Sequence, residues 1–178
     1  MSCGMDVMGR AENQTHGAPG AAPAPRAEES TAPEYWSYTR HLVSLAAAAG
    51  HSEAGAVAAV LRDADRVMAE SAVVTHLDRR AAHLLDDDGF PAWARAMEDV
   101  LSGRDFPARR LHEWNLLRSI TVDEFWSAQE LTGASDWCQR TAVALLTSRA
   151  ALGLLASAAR TRRVRNAAVQ RLRKLPEA

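Results

Sequence analysis

Cysteine is scarce in this sequence of 178 residues, which contains only Cys3 and Cys138. Two cysteines do not make the disulfide framework of a small secreted protein, and no Cys-x-x-Cys pair indicates a zinc or redox site. Lysine is scarcer still, because Lys174 is accompanied by 20 arginines. We therefore expect a reduced, cytoplasmic protein. The bias toward Arg and Ala, which have GC-rich codons, indicates a bacterial source.

Signatures of membrane insertion and of catalysis are also missing. No apolar run approaches the roughly 20 residues that span a bilayer, and the N-terminus lacks the compact apolar segment of a secretory signal. The sequence contains no nucleophile elbow, no dinucleotide-binding glycine motif, no P-loop and no zinc-protease motif. We therefore expect no contact with the membrane, and the sequence identifies no catalytic residue.

The histidines offer one alternative, a metal site in a helical enzyme. His76 and His83 stand on one expected helix, and Asp86 follows them closely. Carboxylate-rich metal sites in helical bundles use Glu-x-x-His pairs, and this sequence has none. We expect two histidines at the edge of an amphipathic helix, with no metal and no other cofactor.

The first part of the chain differs in composition from the rest. Residues 16–33 are rich in Pro, Gly and Ala and show no hydrophobic periodicity. Such a segment cannot bury enough apolar surface to offset the entropy that is lost on ordering. We expect residues 1–33 to be a disordered leader and residues 34–178 to form a single domain with one core.

Beyond the leader, apolar residues recur at helical spacing, and no alternating run predicts a strand. Pro91 and Pro107, each in a Phe-Pro-Ala sequence, suit the first turns of two short helices. Thr121 and Glu124 have the spacing of a capping box, which predicts a helix start. The sequence predicts an all-α protein with about nine helices, over residues 34–49, 53–69, 72–85, 88–101, 104–117, 121–133, 136–146, 148–158 and 161–174.

A recurring frame links the last predicted helices. Val164, Ala168 and Leu172 place apolar side chains at i, i+4 and i+8 on one helix face, with Arg165 beside them. The same frame fits two earlier stretches, Cys138-Gln139-Ala142-Leu146 and, less closely, Leu77-Asp78-Ala81-Leu85. It resembles the inner helix of a HEAT-type repeat, best over residues 135–175. The resemblance implies a short HEAT-like helical stack, either an α-solenoid or an irregular helical bundle.

Charge is unevenly distributed along the chain. Residues 137–178 hold nine Arg or Lys and a single Glu, whereas residues 1–136 hold 12 basic and 21 acidic residues. Positive charge in the first turn of the last helix opposes the helix macrodipole. Three interpretations stay open: a solvated helix face, pairing with acidic residues elsewhere in the chain, or an anionic partner. The candidate partner-binding or anion-binding residues are Arg160, Arg162, Arg163, Arg165, Arg171 and Arg173.

Tryptophan is concentrated between residues 93 and 137. Core packing between short helices is the expected role of such large side chains. The alternative is an aromatic interaction face, because Trp and Arg are preferred anchors of protein interfaces. The candidate residues for that face are Trp93, Trp114, Trp126 and Trp137, with Arg109, Arg110 and His112 close to Trp114 in the sequence.

These features favour a non-catalytic, cytoplasmic protein-interaction module that is built from packed helix pairs and binds another protein. The alternative is a helical-repeat protein that binds nucleic acid through its basic C-terminal face. An enzyme is disfavoured because the sequence offers no set of residues for catalysis.

Overall fold

The computed structural model describes residues 33–48 and 50–176, which form a succession of helices joined by short connections. They contain one 3-10 turn, no strand and nine α-helices, so the predicted all-α class is confirmed. None of these helices combines the length and the apolarity that crossing a membrane requires. The helices are α1 Pro33–Ala47, α2 Glu53–Val60, α3 Arg66–Leu84, α4 Phe90–Leu101, α5 Asp105–Thr121, α6 Ala128–Gly133, α7 Asp136–Leu145, α8 Arg149–Ala158 and α9 Arg162–Lys174.

The expected leader, residues 1–33, lies outside the described residues except for Pro33, which begins α1. The described helices all belong to one compact unit. The first described helix begins at Pro33, and the division of the chain into a leader and a single domain stays a prediction.

The helices pack in two layers. The odd-numbered helices form one row, in which α1 packs on α3, α3 on α5, α5 on α7 and α7 on α9. In the other layer α2 packs on α4 and α6 packs on α8, while α4 contacts α5 and α8 contacts α9 across the layers. A helical stack results because each amphipathic helix buries its apolar stripe against neighbouring helices.

The recurring apolar frame faces the core in all three of its copies. Its apolar members on α3, α7 and α9 are buried, except for Leu172, which is partly buried against the same core. Each copy lies on an odd-numbered helix, so the frame marks the row that runs through the stack. The helix phase that we predicted from the frame is therefore correct, and the HEAT-like character of the stack stays a prediction.

One predicted helix boundary is wrong because a capping signal interrupts the apolar pattern. The helix expected over residues 53–69 ends at Val60, and α3 begins at Arg66. The carboxylate of Asp65 accepts the backbone N–H of Met68, which caps the start of α3. The sequence between the two helices therefore forms a turn although its apolar residues keep helical spacing.

The capping box expected at Thr121 and Glu124 is also wrong. Thr121 is the last residue of α5, and its hydroxyl donates to a carbonyl of that same helix. The reciprocal capping bonds form instead between Ser127 and Glu130, at the start of α6. The loop that joins α5 to α6 leaves the side chain of Phe125 94% exposed.

Candidate functional site

A cleft of about 560 Å³ opens between α5, α6 and the residues just before α9. One of its walls is a single face of α5, formed by Arg109, His112, Glu113 and Leu116. The opposite wall comes from α6 and the turn after it, with Ser127, Gln129, Glu130 and Ser135 among the lining residues. Arg160 lies at the end that is nearest α9. The cleft therefore gathers side chains from three separate elements of the stack.

Gln139, on α7, holds Arg160 against the end of α6. Its fully buried amide group donates to the carbonyls of Leu131 at 3.0 Å and Thr132 at 2.9 Å. Its carbonyl oxygen accepts the backbone N–H of Arg160 at 3.0 Å. Because both N–H bonds and the oxygen of the amide are used, this buried link restrains the shape of the cleft. Arg160 is positioned through its backbone, which leaves its side chain available.

Glu113 is the buried carboxylate of the cleft, and its oxygens already have donors. One oxygen accepts the backbone N–H of Ser135 at 3.0 Å, and the other lies 3.7 Å from Nε of Arg110. Arg110 also pairs with Asp78, and its guanidinium lies 3.5 Å from the ring centroid of Trp137. Glu113 therefore serves as part of the fold, since it anchors the turn before α7 to α5.

The cationic side chains of the cleft lack an acidic partner. Among the described residues, the side chains of Arg109 and His112 make no hydrogen bond and no ion pair, and Arg160 reaches only the carbonyl of Ala134, at 3.5 Å. Glu130 accepts the backbone N–H of Ser127 in the capping box. The cleft thus presents two guanidinium groups with free donors beside carboxylates whose acceptors are in use.

The six candidate arginines of the C-terminal region have different surroundings. Arg160 lines the cleft, Arg162, Arg163 and Arg173 are exposed, and Arg165 and Arg171 are half-buried. Within residues 33–48 and 50–176, none of the six forms an ion pair. No ion pair among the described residues therefore supports the interpretation that these arginines pair with acidic residues elsewhere in the chain.

The start of α9 is capped although two arginines occupy its first turn. The hydroxyl of Thr161 accepts the backbone N–H of Val164 and donates to a carboxylate oxygen of Asp136, each at 3.3 Å. Asp136 therefore puts one negative charge near the positive end of the helix dipole. Arg162 and Arg163 keep their own charges without a carboxylate in contact.

Gln139 and Arg165 stand at the same place in the recurring frame and make similar contacts. Arg165, on α9, donates from Nη1 to the carbonyl of Ala159 at the end of α8, at 2.7 Å. Gln139 likewise donates to carbonyls at the end of α6. In the earliest copy Asp78 accepts from Trp114 and Arg110 instead. The polar residue of the frame thus links α7 to α6 through Gln139 and α9 to α8 through Arg165.

The four candidate tryptophans do not share one surface. Trp93 and Trp114 are buried in the core, where their indole N–H groups donate to Glu53 and Asp78. Trp114 meets the half-buried Trp137 edge-on, with ring centroids 5.5 Å apart, whereas Trp93 pairs with Phe90. Trp126 is half-buried and packs against the core. The core-packing role therefore applies to Trp93 and Trp114, and only Trp126 and Trp137 keep exposed surface.

Local sequence patterns do not predict the polar cluster around Glu53, which is only 1% exposed. Its carboxylate contacts Nε2 of His76 at 2.8 Å, Nε1 of Trp93 at 2.9 Å and Nε of Arg80 at 3.1 Å. Burial alone would raise the pKa of this carboxyl, but the hydrogen bonds from His76, Trp93 and Arg80 outweigh burial and lower its pKa below the ordinary 4.5. Glu53 is therefore a charged group, and its hydrogen bonds link α2 to α3 and α4.

Metal-binding and nucleophilic residues are not assembled into a site. Among the described residues, no group of three or more His, Cys, Asp or Glu is arranged to hold a metal ion. His83 and Asp86 are exposed, whereas His76 belongs to the Glu53 cluster. Burial, with a smaller effect of the nearby Glu113 carboxylate, raises the pKa of the Cys138 thiol to about 12. This thiol therefore stays protonated and unreactive at neutral pH.

Comparison with known proteins leaves the function open, because no family model, no curated protein and no solved structure matches this chain. The cleft and the arginines around the start of α9 are therefore the features of the molecule that bear on its function.

Proposed function

We propose that this chain is a non-catalytic protein-interaction module that recognises an acidic segment of a partner protein. The recognising surface, called the basic surface below, consists of Arg160, Arg162 and Arg163. The observation that carries the proposal is that none of these guanidinium groups contacts a carboxylate within the described residues. The ion pairs among the described residues all lie within residues 40–140, so none of them neutralises the charge of the basic surface.

The position of these arginines supports a binding role. Positive charge in the first turn of a helix is unfavourable by about 0.3–1 kcal/mol for a well-placed group. Carboxylates of a partner would relieve this repulsion and would add charge-assisted hydrogen bonds. Arg is also among the residues that contribute most to protein interfaces. The proposed setting is the cytoplasm, for which the low cysteine count is the support.

Nucleic acid is the alternative partner, since the same arginines could contact phosphates. Two observations favour protein. Trp93 and Trp114 are buried and provide no platform for stacking bases. The cleft beside the basic surface also carries Glu113 and Glu130, which would repel a closely spaced row of phosphates.

The test compares three forms of the immobilised protein in extracts of the native host, with and without nuclease. The first form is the wild type, and the second carries Arg160→Gln, Arg162→Gln and Arg163→Gln. The third is a matched control in which three exposed arginines elsewhere are replaced, Arg62→Gln, Arg79→Gln and Arg95→Gln. Retained proteins are quantified by mass spectrometry, and the best candidate is purified and titrated against all three forms.

We expect a protein that the wild type and the control retain, that the basic-surface variant loses, and that nuclease does not release. Retention that is equal in all three forms would contradict the proposal. Retention that nuclease abolishes would favour the nucleic-acid alternative instead, because the captured protein would then be bridged by nucleic acid.

A further inference from the structure

We infer that the cleft between α5, α6 and α9 binds a carboxylate side chain of an extended acidic peptide, with Arg109 and Arg160 as the groups that hold it. This inference rests on the proposed function, because it names the part of the partner that enters the molecule. It goes further in assigning a second element, α5, to the recognition site. The cleft would thus bind a single acidic side chain, whereas the basic surface would attract the whole acidic segment through its positive charge.

The two guanidinium groups are free to bind. Arg109 is exposed and its side chain has no partner among the described residues, and Arg160 makes only one long contact with a carbonyl. A guanidinium presents N–H groups in a planar fork that matches the two oxygens of a carboxylate. A carboxylate placed between these residues would therefore receive donors from the α5 wall and from the end of the cleft where Arg160 lies.

The rest of the lining suits a peptide. Leu116 offers apolar surface on the α5 wall, and Ser127, Gln129 and Ser135 offer neutral polar groups on the opposite wall. A cleft of about 560 Å³ is of the size that takes small ligands or a few side chains. Apolar residues next to the acidic one would pack on Leu116, and the peptide backbone would find hydrogen-bonding partners.

The carboxylates of the cleft limit how much negative charge it can accept. Glu113 and Glu130 each accept a backbone N–H, and their carboxyl groups line the same cleft as the two arginines. A single carboxylate adds one negative charge between two guanidinium groups, whereas a row of phosphates would add several negative charges beside both glutamates. The cleft therefore favours an acidic peptide over nucleic acid.

The cleft is held in shape by groups other than its two arginines. Gln139 fixes the backbone of Arg160, Glu113 holds the backbone of Ser135, and the capping box fixes the start of α6. Replacement of the Arg109 and Arg160 side chains therefore removes charge without removing any of these bonds. Such a variant is expected to fold, which makes the inference directly testable.

The binding experiment uses fluorescence anisotropy with the full chain and a fluorescein-labelled peptide of repeated Glu-Glu-Leu units. The cleft variant is Arg109→Gln with Arg160→Gln. The matched control is Arg62→Gln with Arg95→Gln, which removes the same charge from exposed arginines that have no partner. We expect the cleft variant to bind the peptide about tenfold more weakly than the control does, since charge-assisted hydrogen bonds are lost. A Gln-Gln-Leu peptide should bind to none of the forms.

The possible results separate this inference from the proposed function. Equal affinities of the cleft variant and the control would overturn the cleft site, whatever the host-extract experiment shows. A loss of peptide affinity that appears only in an Arg162→Gln/Arg163→Gln variant would overturn the cleft site and leave the basic surface as the interaction module. Single-stranded DNA that binds more tightly than the peptide, and is lost in the cleft variant, would overturn the choice of ligand. If the peptide affinity depends on the cleft arginines but all three forms retain the same host proteins equally, the cleft site is upheld and the proposed interaction module is refuted.

A crosslinking measurement locates the peptide independently of affinity. Gln129→Cys, combined with Cys3→Ser, places one reactive thiol on the wall of the cleft, because the buried Cys138 thiol stays protonated. After labelling with a benzophenone maleimide, irradiation should crosslink the Glu-Glu-Leu peptide at this position. Arg95→Cys in the same background, on α4, should give no crosslink. Equal yields at both positions would overturn the inference.

Discussion

The two halves of the helix stack, α1–α5 and α6–α9, are stabilised by different interactions. In the first half, buried or half-buried carboxylates bind partners that are distant in the sequence, as Glu53 does with His76, Arg80 and Trp93. In the second half a Ser or Thr caps every helix, and the one ion pair found among the described residues is local, between Asp136 and Arg140. The first half therefore depends on long-range ion pairs, and the second on capping, apolar packing and the neutral hydrogen bonds of Gln139.

The difference also explains where free charge accumulates. The first half contains most of the acidic residues, and several of its arginines are paired with them. Arg160, Arg162 and Arg163 have no such partner in the described part of the chain, where the nearby Asp136 is engaged with Thr161 and Arg140. A region that is stable without its charges can present those charges to a partner. The comparison thus predicts that substitutions of ion-paired residues in the first half lower the free energy of unfolding more than substitutions of the unpaired arginines in the second half do.

The largest effect is expected for Glu53→Ala. Removal of this carboxylate leaves His76, the Trp93 N–H and Arg80 without their common acceptor, and breaking a buried charge cluster costs about 3–5 kcal/mol. Urea denaturation followed by circular dichroism measures the free energy of unfolding. Glu124→Ala, at an exposed position, is the control and should change it by less than about 0.5 kcal/mol. Equal effects would refute the central role of Glu53.

Packing in the second half is tested by Leu152→Ala. Leu152 is fully buried on α8, so its truncation should lower the free energy of unfolding by about 2–5 kcal/mol. Leu172→Ala should cost less, because Leu172 is only partly buried, and Arg173→Ala should cost less than about 0.5 kcal/mol. If Arg173→Ala cost as much as Leu172→Ala, the assignment of the buried face of α9 would be contradicted.

A smaller, pH-dependent effect is expected from Glu53 in the intact cluster. Its pKa is lower in the folded chain than the ordinary 4.5, so the folded state favours the ionised form. The resulting stabilisation is fully present above the unfolded-state pKa and is lost as the pH falls through the folded-state pKa. The difference in unfolding free energy between the wild type and Glu53→Gln should therefore shrink on acidification. A difference that grows as the pH falls would show that the pKa is raised instead.

The smallest effect is expected for Arg162→Gln combined with Arg163→Gln. Neither side chain forms an ion pair with another described residue, and both stand in the first turn of α9, where positive charge opposes the helix dipole. The free energy of unfolding should stay within about 0.5 kcal/mol of the wild type, on the more stable side. Thermal and urea unfolding at low salt measure this change. A clear loss of stability would mean that these arginines have an acidic partner within the chain, and would weaken the proposed function.

The all-α class and most helices of the second half could be predicted from the sequence. Ser127, Ser135, Ser148 and Thr161 lie next to the residues that they cap, so the signals for these helix starts are local. The buried face of α9 follows in the same way from the helical spacing of Val164 and Ala168. Even here the sequence prediction placed a helix start at Thr121, and only the fold showed that Ser127 caps the start of α6.

The sequence by itself determined the helical class, the apolar frame and the concentration of arginine near the end of the chain. Tertiary structure decided which charges are neutralised: the partners of Glu53 lie 23, 27 and 40 residues further along, beyond the reach of any local pattern. It also decided that Arg109 and Arg160 line one cleft, because Gln139 links α6 to the residues before α9. Helix formation and capping act over a few residues, whereas burial and pairing depend on contacts that exist only after the helices have packed.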